Sequence, residues 1–575
     1  MRVSVIVPTF NRRTLILQTL PTVLDQTFPA NDYEVIIVVD GSTDGTAEAL
    51  KHIVSPVRIR VLEQDNRGQA AANNAGLRVA TGELVLFLDD DLFCERTLIA
   101  EHFAAHGGGD YLVFGPVLVE PRSPETLATR WMRSNTQDWL FRLERDGVRW
   151  PADATVIANS SMRRDSLIAT GGFDERFLRA LDTELGLRLW KNGVRFKFCP
   201  MAVTRQFYAK STDDLTLRDA PLYGVNEDLL CRKHPEFRRY SQLAGFTRGT
   251  WSKRKARELC VRFPLPMDWL LKLGERVVQA NARMGIRVFH ARQQFRVYRS
   301  AAAAAGGWRQ FERDYATVLP VLMYHHVGPV QPGTYPALTV APGRFEKQMG
   351  WLKRNSYTTI CTGDWLAWCL EGKPLPPKPV MVTFDDAYAD LVEYAFPVLR
   401  KYDFTATVFV VTGEIGGHNS WDQKNGSATL RCMGADKIKR WSGEGIEFGS
   451  HTRTHPDLTT LSEPEIEEEI VGSGRDLAKM LEKFPLSFAF PFGAYNNIVH
   501  KCVKKSYQLA FTSDEGLNGL ATQPHALRRT MIQPGYSVLD FALRVKFGWD
   551  PIERLRARVR PRGWLRGTRR VHKGT

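Results

Sequence analysis

Strand-like apolar runs alternate with helical patterns twice along this chain, and that alternation limits the folds open to it. In residues 1–120 the runs VSVIVPTF, YEVIIVVD and ELVLFLDDD are separated by helical patterns such as AEALKHIV. This order predicts a mostly parallel sheet with helices on both faces. A second α/β pattern begins at LPVLMYHHV, residues 319–327, and continues to about residue 550. Because 575 residues are too many for one hydrophobic core, we expect two separate α/β domains.

A long amphipathic helix is predicted between the two α/β patterns, over residues 264–306. Apolar residues recur there at steps of three and four, which marks one face of a helix. They are Leu270, Leu273, Val277, Ala280, Met284, Val288, Ala291, Phe295 and Tyr298. The run ends in AAAAAGG, where paired glycines predict the end of the helix. We therefore expect α/β domains at 1–245 and 316–550, a basic helical connector at 246–315 and a basic tail at 551–575.

The formal charge of +15 is concentrated in the connector and the tail. Residues 248–313 contain fifteen basic and four acidic residues, and residues 551–575 contain nine basic residues and one acidic residue. Two readings of the basic helix stay open. Either it lies on an anionic membrane surface, or its apolar face packs on one domain while its arginines face solvent. No nucleic-acid-binding motif accompanies the charge, so no nucleic-acid partner is expected.

The sequence also bears on the compartment. No apolar run reaches the ~18 residues that a membrane span needs, and the start MRVSVIVPTFNRR lacks the features of a signal peptide. The eight cysteines are scattered and form no CxxC pair, which favours reduced thiols. We expect a cytoplasmic protein, for which peripheral contact with the inner face of the membrane stays open.

Acidic residues follow two of the predicted N-terminal strands and open a later helix. Asp40 follows YEVIIVV and precedes a GSTDGT turn, and Asp89–Asp91 end LVLFL. Because three adjacent carboxylates repel one another, a hard cation such as Mg²⁺ or Mn²⁺, which also binds phosphate, suits this position. Asp182 and Glu184 stand at the start of a later helix. Each acid taken alone is more simply a solvated loop residue or a helix N-cap.

Residues 1–235 resemble the family-2 glycosyltransferases of the GT-A fold in five ordered motifs, which are VSVIVPTFNR, VVDGSTDGT, NRGQAAANNAGL, LFLDDD and GGFDERF with DTELGLRL. The resemblance implies a Rossmann-like GT-A domain that transfers a sugar from a nucleotide-diphosphate donor. Thr9 and Asp40 would line the base and ribose site. Asp89 and Asp91 match the family's DxD motif, with Asp91 as the direct ligand of Mn²⁺ or Mg²⁺. Asp182 matches the general base that deprotonates the acceptor hydroxyl.

Three positions depart from the usual pattern of that family. A single Asp40 stands where two aspartates are usual, Asn73 stands where an arginine often holds the diphosphate, and Leu181 replaces a glutamate. No clear QxxRW is present, which favours a single-transfer enzyme over a polymerase. An alternative therefore stays open, in which the N-terminal domain is a degenerate glycan-binding module.

A second pair of adjacent carboxylates ends a strand-like run in the C-terminal half. Asp385 and Asp386 close VMVTF, and His451 and His455 follow a further strand in IEFGSHTRTHPDL. Because Pro456 disfavours a helix at His455, we place both histidines on a loop at a strand end. Two imidazoles and one carboxylate form a three-ligand site that leaves room for water on a catalytic zinc.

Residues 319–535 resemble the polysaccharide deacetylases of carbohydrate esterase family four, the NodB-like enzymes, in TFDD, SHTRTHP and FAFPFGAY. The resemblance implies a distorted (β/α) barrel of about seven strands that removes the acetyl group from an N-acetylhexosamine. Asp386, His451 and His455 would hold Zn²⁺ or a similar divalent metal, and Asp385 would be the base that activates water. His325 is the candidate general acid, with His326 and His525 as rivals. Phe488 and Ala489 occupy the neighbourhood in which the family often carries an arginine that supports the base.

Together these features predict a bifunctional enzyme of glycan assembly. Its partners would be a nucleotide-diphosphate sugar and an N-acetylated glycan or lipid-linked sugar acceptor. One alternative keeps only the deacetylase active, with a degenerate N-terminal domain. A third reading is a non-enzymatic, membrane-associated scaffold built around the basic helix and tail.

Overall fold

The structure is a computed structural model that describes residues 1–148, 157–263, 269–274, 282–329, 338–423 and 428–549. The chain divides into two compact units. Unit 1 contains Met1–His234 and Ala256–Trp308, and unit 2 contains Pro235–Lys255 and the chain from Arg309 onward. The basic connector is thus shared between the units, with most of its residues in unit 1. The boundaries proposed above stay predictions, and the basic tail at 551–575 lies outside the described residues.

Helices and strands alternate through both units. The strands are β1 (Val3–Thr9), β2 (Tyr33–Asp40), β3 (Arg58–Gln64), β4 (Leu84–Leu88), β5 (Leu92–Cys94), β6 (Tyr111–Phe114), β7 (Val117–Val119), β8 (Asn159–Arg163), β9 (Arg195–Phe198), β10 (Thr204–Gln206), β11 (Val321–Tyr324), β12 (His326–Val327), β13 (Thr339–Val340), β14 (Thr358–Thr359), β15 (Pro379–Phe384), β16 (Thr407–Val410), β17 (Glu447–Ser450), β18 (Ser487–Ala489), β19 (Leu509–Phe511) and β20 (Thr530–Met531). The helices are α1 (Arg13–Leu24), α2 (Thr46–Lys51), α3 (Gln69–Val79), α4 (Leu98–His106), α5 (Leu127–Asp146), α6 (Arg164–Ala169), α7 (Leu181–Lys191), α8 (Ala220–Lys233), α9 (Trp251–Arg262), α10 (Ala282–Ala304), α11 (Trp308–Phe311), α12 (Pro342–Arg354), α13 (Thr362–Glu371), α14 (Phe396–Lys401), α15 (Ser420–Gln423), α16 (Ala435–Gly443), α17 (Glu463–Glu467), α18 (Ser473–Leu481), α19 (Asn497–Ser506) and α20 (Val538–Phe547).

Unit 1 is built on a seven-stranded sheet in the order β3-β2-β1-β4-β8-β6-β9. Only the two pairings of β8, with β4 and with β6, are antiparallel. The central strands are continuous apolar runs because both of their faces are covered, and every residue of β2 is buried. Thr9 pairs with Val39 at the carboxyl ends of β1 and β2. Asp40 and Asp89–Asp91 therefore meet at the carboxyl edge of this sheet, where ligands of such folds bind.

A small three-stranded sheet, β5-β10-β7, adds a polar residue to that edge. Gln206 ends β10 and pairs with Leu92 at the start of β5. Because Leu92 directly follows Asp91, this register brings the Gln206 side chain to the Asp91 carboxylate.

Helix α10 packs against α8 within unit 1. Phe289, Phe295 and Tyr298 are buried, and the guanidinium of Arg292 is buried in an ion pair with Asp213. This supports the packing interpretation of the basic helix, although its buried face differs from the predicted one. Met284 is 50% exposed, and Val277 and Ala280 lie outside the described residues. The helix ends where predicted, because Gly306 and Gly307 adopt positive φ and donate their N–H groups to the carbonyls of Ala303 and Ala302.

Unit 2 is built on an all-parallel sheet whose main path is β19-β18-β17-β16-β15-β11-β20, with β14 beside β15. Seven strands in this order, separated by helices, agree with the predicted distorted (β/α) barrel. Tyr324 pairs with Phe384, and Val410 pairs with Ser450. The residues that follow these strands, His325, Asp385 and His451, therefore lie at one carboxyl edge. This is the edge at which barrels of this type place their active sites.

Two predictions about the whole chain can be compared with the described residues. Within them no helix is long and apolar enough to cross a membrane. All eight cysteines are free thiols, as the scattered spacing predicts.

Candidate active sites

Asp40 anchors the loop that leads into α3. Its Oδ1 accepts hydrogen bonds from Gln64 Nε2 at 2.7 Å and from the Arg67 N–H at 2.9 Å, and its Oδ2 accepts one from the Gly68 N–H at 2.8 Å. A Cβ at Gly41, where φ is +75°, would lie 2.6 Å from the backbone nitrogen of Asn66. Only glycine fits this turn, which explains why glycine follows Asp40. The predicted contact of Asp40 with a nucleotide stays a prediction.

The three adjacent aspartates have different partners. Thr9 Oγ1 donates to Asp90 at 2.7 Å, and Gln69 Nε2 donates to Asp89 at 2.8 Å. Arg12 Nη1 lies 2.8 Å from Asp90 Oδ1 and 2.9 Å from Asp91 Oδ2. Thr9 therefore contacts Asp90, while Arg12 bridges Asp90 and Asp91.

Both oxygens of Asp91, the predicted metal ligand, accept hydrogen bonds within the chain. Gln206 Nε2 lies 3.1 Å from its Oδ1, and Arg12 occupies its Oδ2. A divalent ion fits the donor chemistry of Asp89 and Asp91, which offer hard carboxylate oxygens. It would have to replace at least one of these hydrogen bonds. The sequence analysis did not identify Arg12 as a partner of Asp91, although Arg12 follows the PTF motif directly after Asn11. It also did not identify Gln206, which is 115 residues away from Asp91.

The environment of the acidic cluster disfavours negative charge. Burial, followed by the charges of Asp91 and Asp90, raises the pKa of Asp89 to about 7. Burial likewise raises the pKa of Asp90 to about 6, against the opposing charge of Arg12. A cation bound beside Asp89 would stabilise its ionised form.

Asp182 opens α7 and belongs to the same site. Its carboxylate accepts a hydrogen bond from the Thr183 N–H at 2.8 Å, and burial raises its pKa to about 6. Its charge also contributes to the raised pKa of Asp89, because the two carboxylates are close. Glu184, which stands beside Asp182 in sequence, is fully buried and forms salt bridges with Arg188 and Lys233. The structure thus gives Glu184 a packing role.

Asp386, His451 and His455 converge in unit 2 as a three-ligand group. Their ligand atoms lie within 4.8 Å of one another, and among the described residues no other such group of His, Cys, Asp and Glu forms. The Nε2 atoms of His451 and His455 lie 3.7 and 3.5 Å from Asp386 Oδ1. His451 Nδ1 donates to the Ala489 carbonyl at 2.8 Å, which directs its Nε2 lone pair toward the group.

These three side chains fit a divalent metal. All three are buried, and Asp386 Oδ1 has no hydrogen-bond partner among the described residues. Burial raises the pKa of Asp386 and lowers the pKa of both histidines, so an ionised Asp386 needs a cation nearby. Two neutral imidazoles and one carboxylate are a ligand set that suits zinc and related ions.

Asp385, the neighbour of Asp386, is held ionised by an arginine. Arg529 Nη1 donates to Asp385 Oδ1 at 2.6 Å, and the Arg529 side chain is 1% exposed. Burial alone would raise the pKa of Asp385, but the charges of Arg529, His451 and His325, together with the hydrogen bond from Arg529, outweigh it and hold this pKa at about 2. Arg529 lies 144 residues away in sequence. It occupies the supporting position that the sequence interpretation sought, without success, near Phe488 and Ala489.

Of the three histidines proposed as general acid, only His325 lies at the carboxylate pair. Its Nε2 is 4.0 Å from Asp385 Oδ2, and burial lowers its pKa to about 4. His326 stacks on Tyr388 and donates from Nδ1 to Asp390 at 2.8 Å. His525 is bonded through Nε2 to the Tyr507 carbonyl. The structure therefore favours His325 over both rivals by position.

The loop that carries His451 and His455 is anchored by carboxylates from the next helical segment. Glu469 Oε2 accepts from the N–H groups of Arg453 and Thr454 at 2.8 and 3.0 Å. Asp476 accepts two hydrogen bonds from the Arg453 guanidinium, at 2.7 and 2.8 Å. His455 itself adopts φ +58°, a strained conformation that these contacts help to hold.

Aromatic rings flank His455 at the entrance of this site. The rings of Trp421 and Phe492 lie 5.0 and 4.7 Å from the His455 ring. Phe492 is 57% exposed and has a φ of +57°. The exposed Phe492 ring, held in a strained backbone beside His455, forms an apolar rim to the site.

Two family models match separate parts of the chain. Residues 4–172 match the family described as Glycosyl transferase family 2, and residues 372–509 match the family described as Polysaccharide deacetylase. The two matches enclose Asp40, Asp89 and Asp91 in the first case and Asp385–Asp386, His451 and His455 in the second. Asp182, His325 and Arg529 lie beyond the matched segments.

The relatives and solved structures each cover only part of the chain. The chain is 30% identical over 263 residues to the validoxylamine A glucosyltransferase of Streptomyces hygroscopicus subsp. jinggangensis, covering 40% of this chain and 61% of that protein. It is 28% identical over 177 residues to the poly-beta-1,6-N-acetyl-D-glucosamine N-deacetylase of Staphylococcus aureus, covering 29% of this chain and 58% of that protein. The solved Streptococcus pyogenes deacetylase PplD in complex with acetate is 28% identical, with a TM-score of 0.35, and the match covers 39% of this chain and 96% of that chain.

The chain spans about three fifths of the length of these two curated relatives. Both relatives are named as enzymes. The chain therefore joins a domain of the glycosyl transferase family 2 to a domain of the polysaccharide deacetylase family.

Proposed function

We propose that this protein is a bifunctional enzyme that transfers a sugar from a nucleotide-diphosphate donor and removes the acetyl group from an N-acetylhexosamine. The observation that carries the proposal is the buried group Asp386, His451 and His455 beside the Arg529-paired Asp385. Burying such a group costs free energy, and apolar side chains would pack the same space better. The donor-site aspartates of unit 1 support the proposed sugar transfer.

In the deacetylase site the chain supplies one base and one acid. Asp385 is ionised at neutral pH, since Arg529 holds its pKa at about 2, and it accepts a proton from the attacking water. His325 is neutral at that pH, so it must first receive a proton, which Asp385 can pass from 4.0 Å away. His325 then protonates the amine nitrogen as the C–N bond breaks. A divalent metal held by Asp386, His451 and His455 would supply Lewis acidity at the acetyl oxygen.

In the transferase site Asp182 is the base toward the acceptor hydroxyl. Its raised pKa of about 6 brings it close to neutral pH, where a base both stays ionised and accepts a proton readily. Asp40 and Thr9 shape the nucleotide side of the site, and Asp89 and Asp91 offer the carboxylates for a divalent metal. Mn²⁺ or Mg²⁺ would neutralise charge on the departing diphosphate.

For the identity of the metals we propose Zn²⁺ or a similar ion at the deacetylase site and Mn²⁺ or Mg²⁺ at the transferase site. The mixed nitrogen and oxygen ligands of the first suit zinc, and the all-oxygen ligands of the second suit the harder ions. For the substrates we propose a nucleotide-diphosphate sugar and an N-acetylated glycan or lipid-linked acceptor. The name of the Staphylococcus aureus relative, which specifies an N-acetylglucosamine polymer, supports the acetylated substrate.

For the location we propose the cytosolic side of an anionic membrane, in peripheral contact with it. Six large apolar side chains of the basic connector are exposed by 44–65%, and they are Leu259, Phe263, Trp269, Leu270, Leu273 and Met284. Apolar side chains amid basic charge suit an anionic lipid surface. Sedimentation with anionic vesicles should exceed sedimentation with neutral vesicles, and Trp269→Ser should reduce it. Equal sedimentation with both vesicle types would contradict the contact.

Two observations favour the alternative of a binding module in unit 1. Arg12 engages the predicted metal ligand Asp91, and Asn73 stands where an arginine is common. Nucleotide-sugar binding that depends on Mn²⁺, followed by sugar transfer, is expected of the enzyme. Glycan binding that no metal alters, without turnover, would support the module.

The metal content of two neighbouring variants tests the deacetylase assignment. Asp386→Ala should lose the metal, since it removes the anionic ligand of the group. Asp385→Asn should keep the metal but lose deacetylation by ~10²-fold or more, because it removes the base. Elemental analysis and acetate release from an N-acetylglucosamine oligomer measure both. Full metal content in Asp386→Ala, or full activity in Asp385→Asn, would refute the assignment.

A further inference from the structure

A cavity of about 450 Å³ opens beside Asp91 in unit 1. Its lining includes Arg12, Asp91, Tyr208, Lys210, Asp214 and Arg218. The volume lies in the range of small-molecule sites. The roles assigned so far to the transferase site do not account for the side that carries Lys210 and Arg218.

That side of the cavity is close to the proposed base. Lys210 Nζ and Arg218 Nε lie 2.8 and 3.2 Å from the carboxylate of Asp219, and Arg179 Nη2 lies 3.0 Å from the same group. Arg179 is three residues before Asp182. Tyr223 also lies near both acids, since the charges of Asp182 and Asp219 add to the burial that raises its pKa to about 12. Lys210 and Arg218, which line the cavity beside Asp91, are therefore linked through Asp219 and Arg179 to the segment that carries Asp182, the proposed base toward the acceptor.

The cations on this side outnumber the carboxylates with which they form ion pairs. Three cations, Arg179, Lys210 and Arg218, surround the carboxylate of Asp219, whose side chain is 2% exposed. Asp214 adds a second carboxylate, 3.6 Å from Arg218. Three cations thus share two carboxylates in these ion pairs, and Arg179 and Lys210 are 30% and 33% exposed. An anion that contacts these partly buried cations gains more Coulomb energy than at an open surface.

A buried hydroxyl at the cavity also has no partner. Tyr208 is 3% exposed, and its hydroxyl has no hydrogen-bond partner among the described residues. A buried O–H without a partner is costly, which points to a polar group of a ligand. The charges of Asp219 and Asp91 both act on its pKa, so the hydroxyl lies near the space between them.

We propose that this cavity is an acceptor subsite for an anionic group, a phosphate ester of a sugar or of a lipid. Lys210 and Arg218 bind its oxygens, and the Tyr208 hydroxyl donates one further hydrogen bond. The proposal rests on the transferase activity proposed above and narrows its acceptors to phosphate-bearing molecules. Leu15, Phe207 and Ala209 in the same lining suit an apolar portion next to the phosphate.

Binding of phenyl phosphate to the full chain tests the subsite. The titration is done by calorimetry with a chelator present, because without divalent ions the acidic donor site repels phosphate. Lys210→Gln and Arg218→Gln should each weaken binding by ~10-fold or more, since each removes a charge-assisted hydrogen bond. Arg176→Gln is the matched control, because Arg176 also forms an exposed ion pair with an aspartate, Asp174, and does not line the cavity. Unchanged binding in both Lys210→Gln and Arg218→Gln, at unchanged thermal stability, would overturn the proposal.

The source of the phosphate is distinguished by the acceptors offered. A polyprenyl phosphate in detergent and a water-soluble sugar phosphate are compared, each with its phosphate-free counterpart. The phosphate-bearing member should be preferred in kcat/KM by ~10-fold or more, and Lys210→Gln should abolish that preference. Equal use of both members would refute the subsite while leaving the transferase intact. If the nucleotide sugar neither binds nor reacts with any acceptor, the proposed transferase activity itself is refuted.

Discussion

Single residues in both sites gain their properties from distant partners. Asp385 and Asp386 are adjacent, yet the pKa of the first is held at about 2 and the pKa of the second is raised. The difference arises because Arg529 pairs with Asp385, while Asp386 Oδ1 points toward two imidazoles. Successive residues at a strand end face different neighbours, so one can bind a metal and the other a proton.

Removing Arg529 should change the pH dependence of deacetylation. In Arg529→Gln, burial of Asp385 is no longer opposed by the arginine charge, so its pKa rises. Activity that needs ionised Asp385 is lost as pH falls through this pKa. The acid limb of the kcat/KM profile should therefore move to higher pH. Arg528→Gln, an exposed neighbour, is the control and should leave the limb in place. An unshifted limb in Arg529→Gln would show that the arginine does not support the base.

Arg12 should compete with the metal at the transferase site. Arg12 Nη1 lies 2.9 Å from Asp91, so a divalent ion must displace it or share the carboxylate. Arg12→Gln should raise the affinity for Mn²⁺ in the absence of donor by ~10-fold, because one opposing ionic contact is lost. Arg13→Gln is the matched control from the exposed neighbouring position. Equal or weaker Mn²⁺ affinity in Arg12→Gln, measured by calorimetry, would contradict the competition.

At the scale of elements, the strand ends were easier to predict than the contacts that hold them. Adjacent carboxylates after an apolar run, and two histidines after another, pointed to Asp386, His451 and His455, which lie close together in unit 2. The arginine beside Asp385 gave no local signal, because Arg529 directly precedes β20 and is 144 residues away in sequence. The buried face of α10 was partly mispredicted for a related reason. Periodicity placed Arg292 on the solvent side, but Asp213 pairs with it inside the unit.

The loop that carries the metal ligands should depend on Glu469. This carboxylate accepts from two successive backbone N–H groups, those of Arg453 and Thr454. Glu469→Ala should lower metal affinity by ~10–100-fold, since contacts that orient ligands typically contribute this much. Chelator competition measures the affinity, and the exposed Glu467→Ala is the control. If excess metal restores activity in Glu469→Ala, the residue positions the ligands. Unchanged metal affinity would refute that role.

The packing of α10 distinguishes the predicted helix face from the observed one. Phe295 is 4% exposed, whereas Met284, on the same predicted face, is 50% exposed. Phe295→Ala should destabilise unit 1 by about 3 kcal/mol, and Met284→Ala should change its stability by less than about 0.5 kcal/mol. Calorimetric unfolding of the full chain measures both. Equal destabilisation by the two substitutions would contradict the observed packing of α10.

At the scale of the whole molecule, the fold class could be predicted from the sequence, because each half of the chain shows its own alternation of strands and helices. The division of the chain between the units did not follow, since residues 256–308 belong to unit 1 while residues 235–255 belong to unit 2. Local composition marks 246–315 as a basic segment but cannot show which core each part joins. The central claim at this scale is that one chain carries two active sites with separate chemistry.

Mass spectrometry of products from two variants tests that claim most directly. The full chain is incubated with a nucleotide sugar, an acceptor and an N-acetylated glycan, and transfer and deacetylation are read from the same sample. Asp182→Asn should lose transfer and keep deacetylation, because it removes a base in unit 1 only. Asp385→Asn should lose deacetylation and keep transfer. Loss of both reactions in either variant, or retained transfer in Asp182→Asn, would contradict two separate active sites with the bases assigned here.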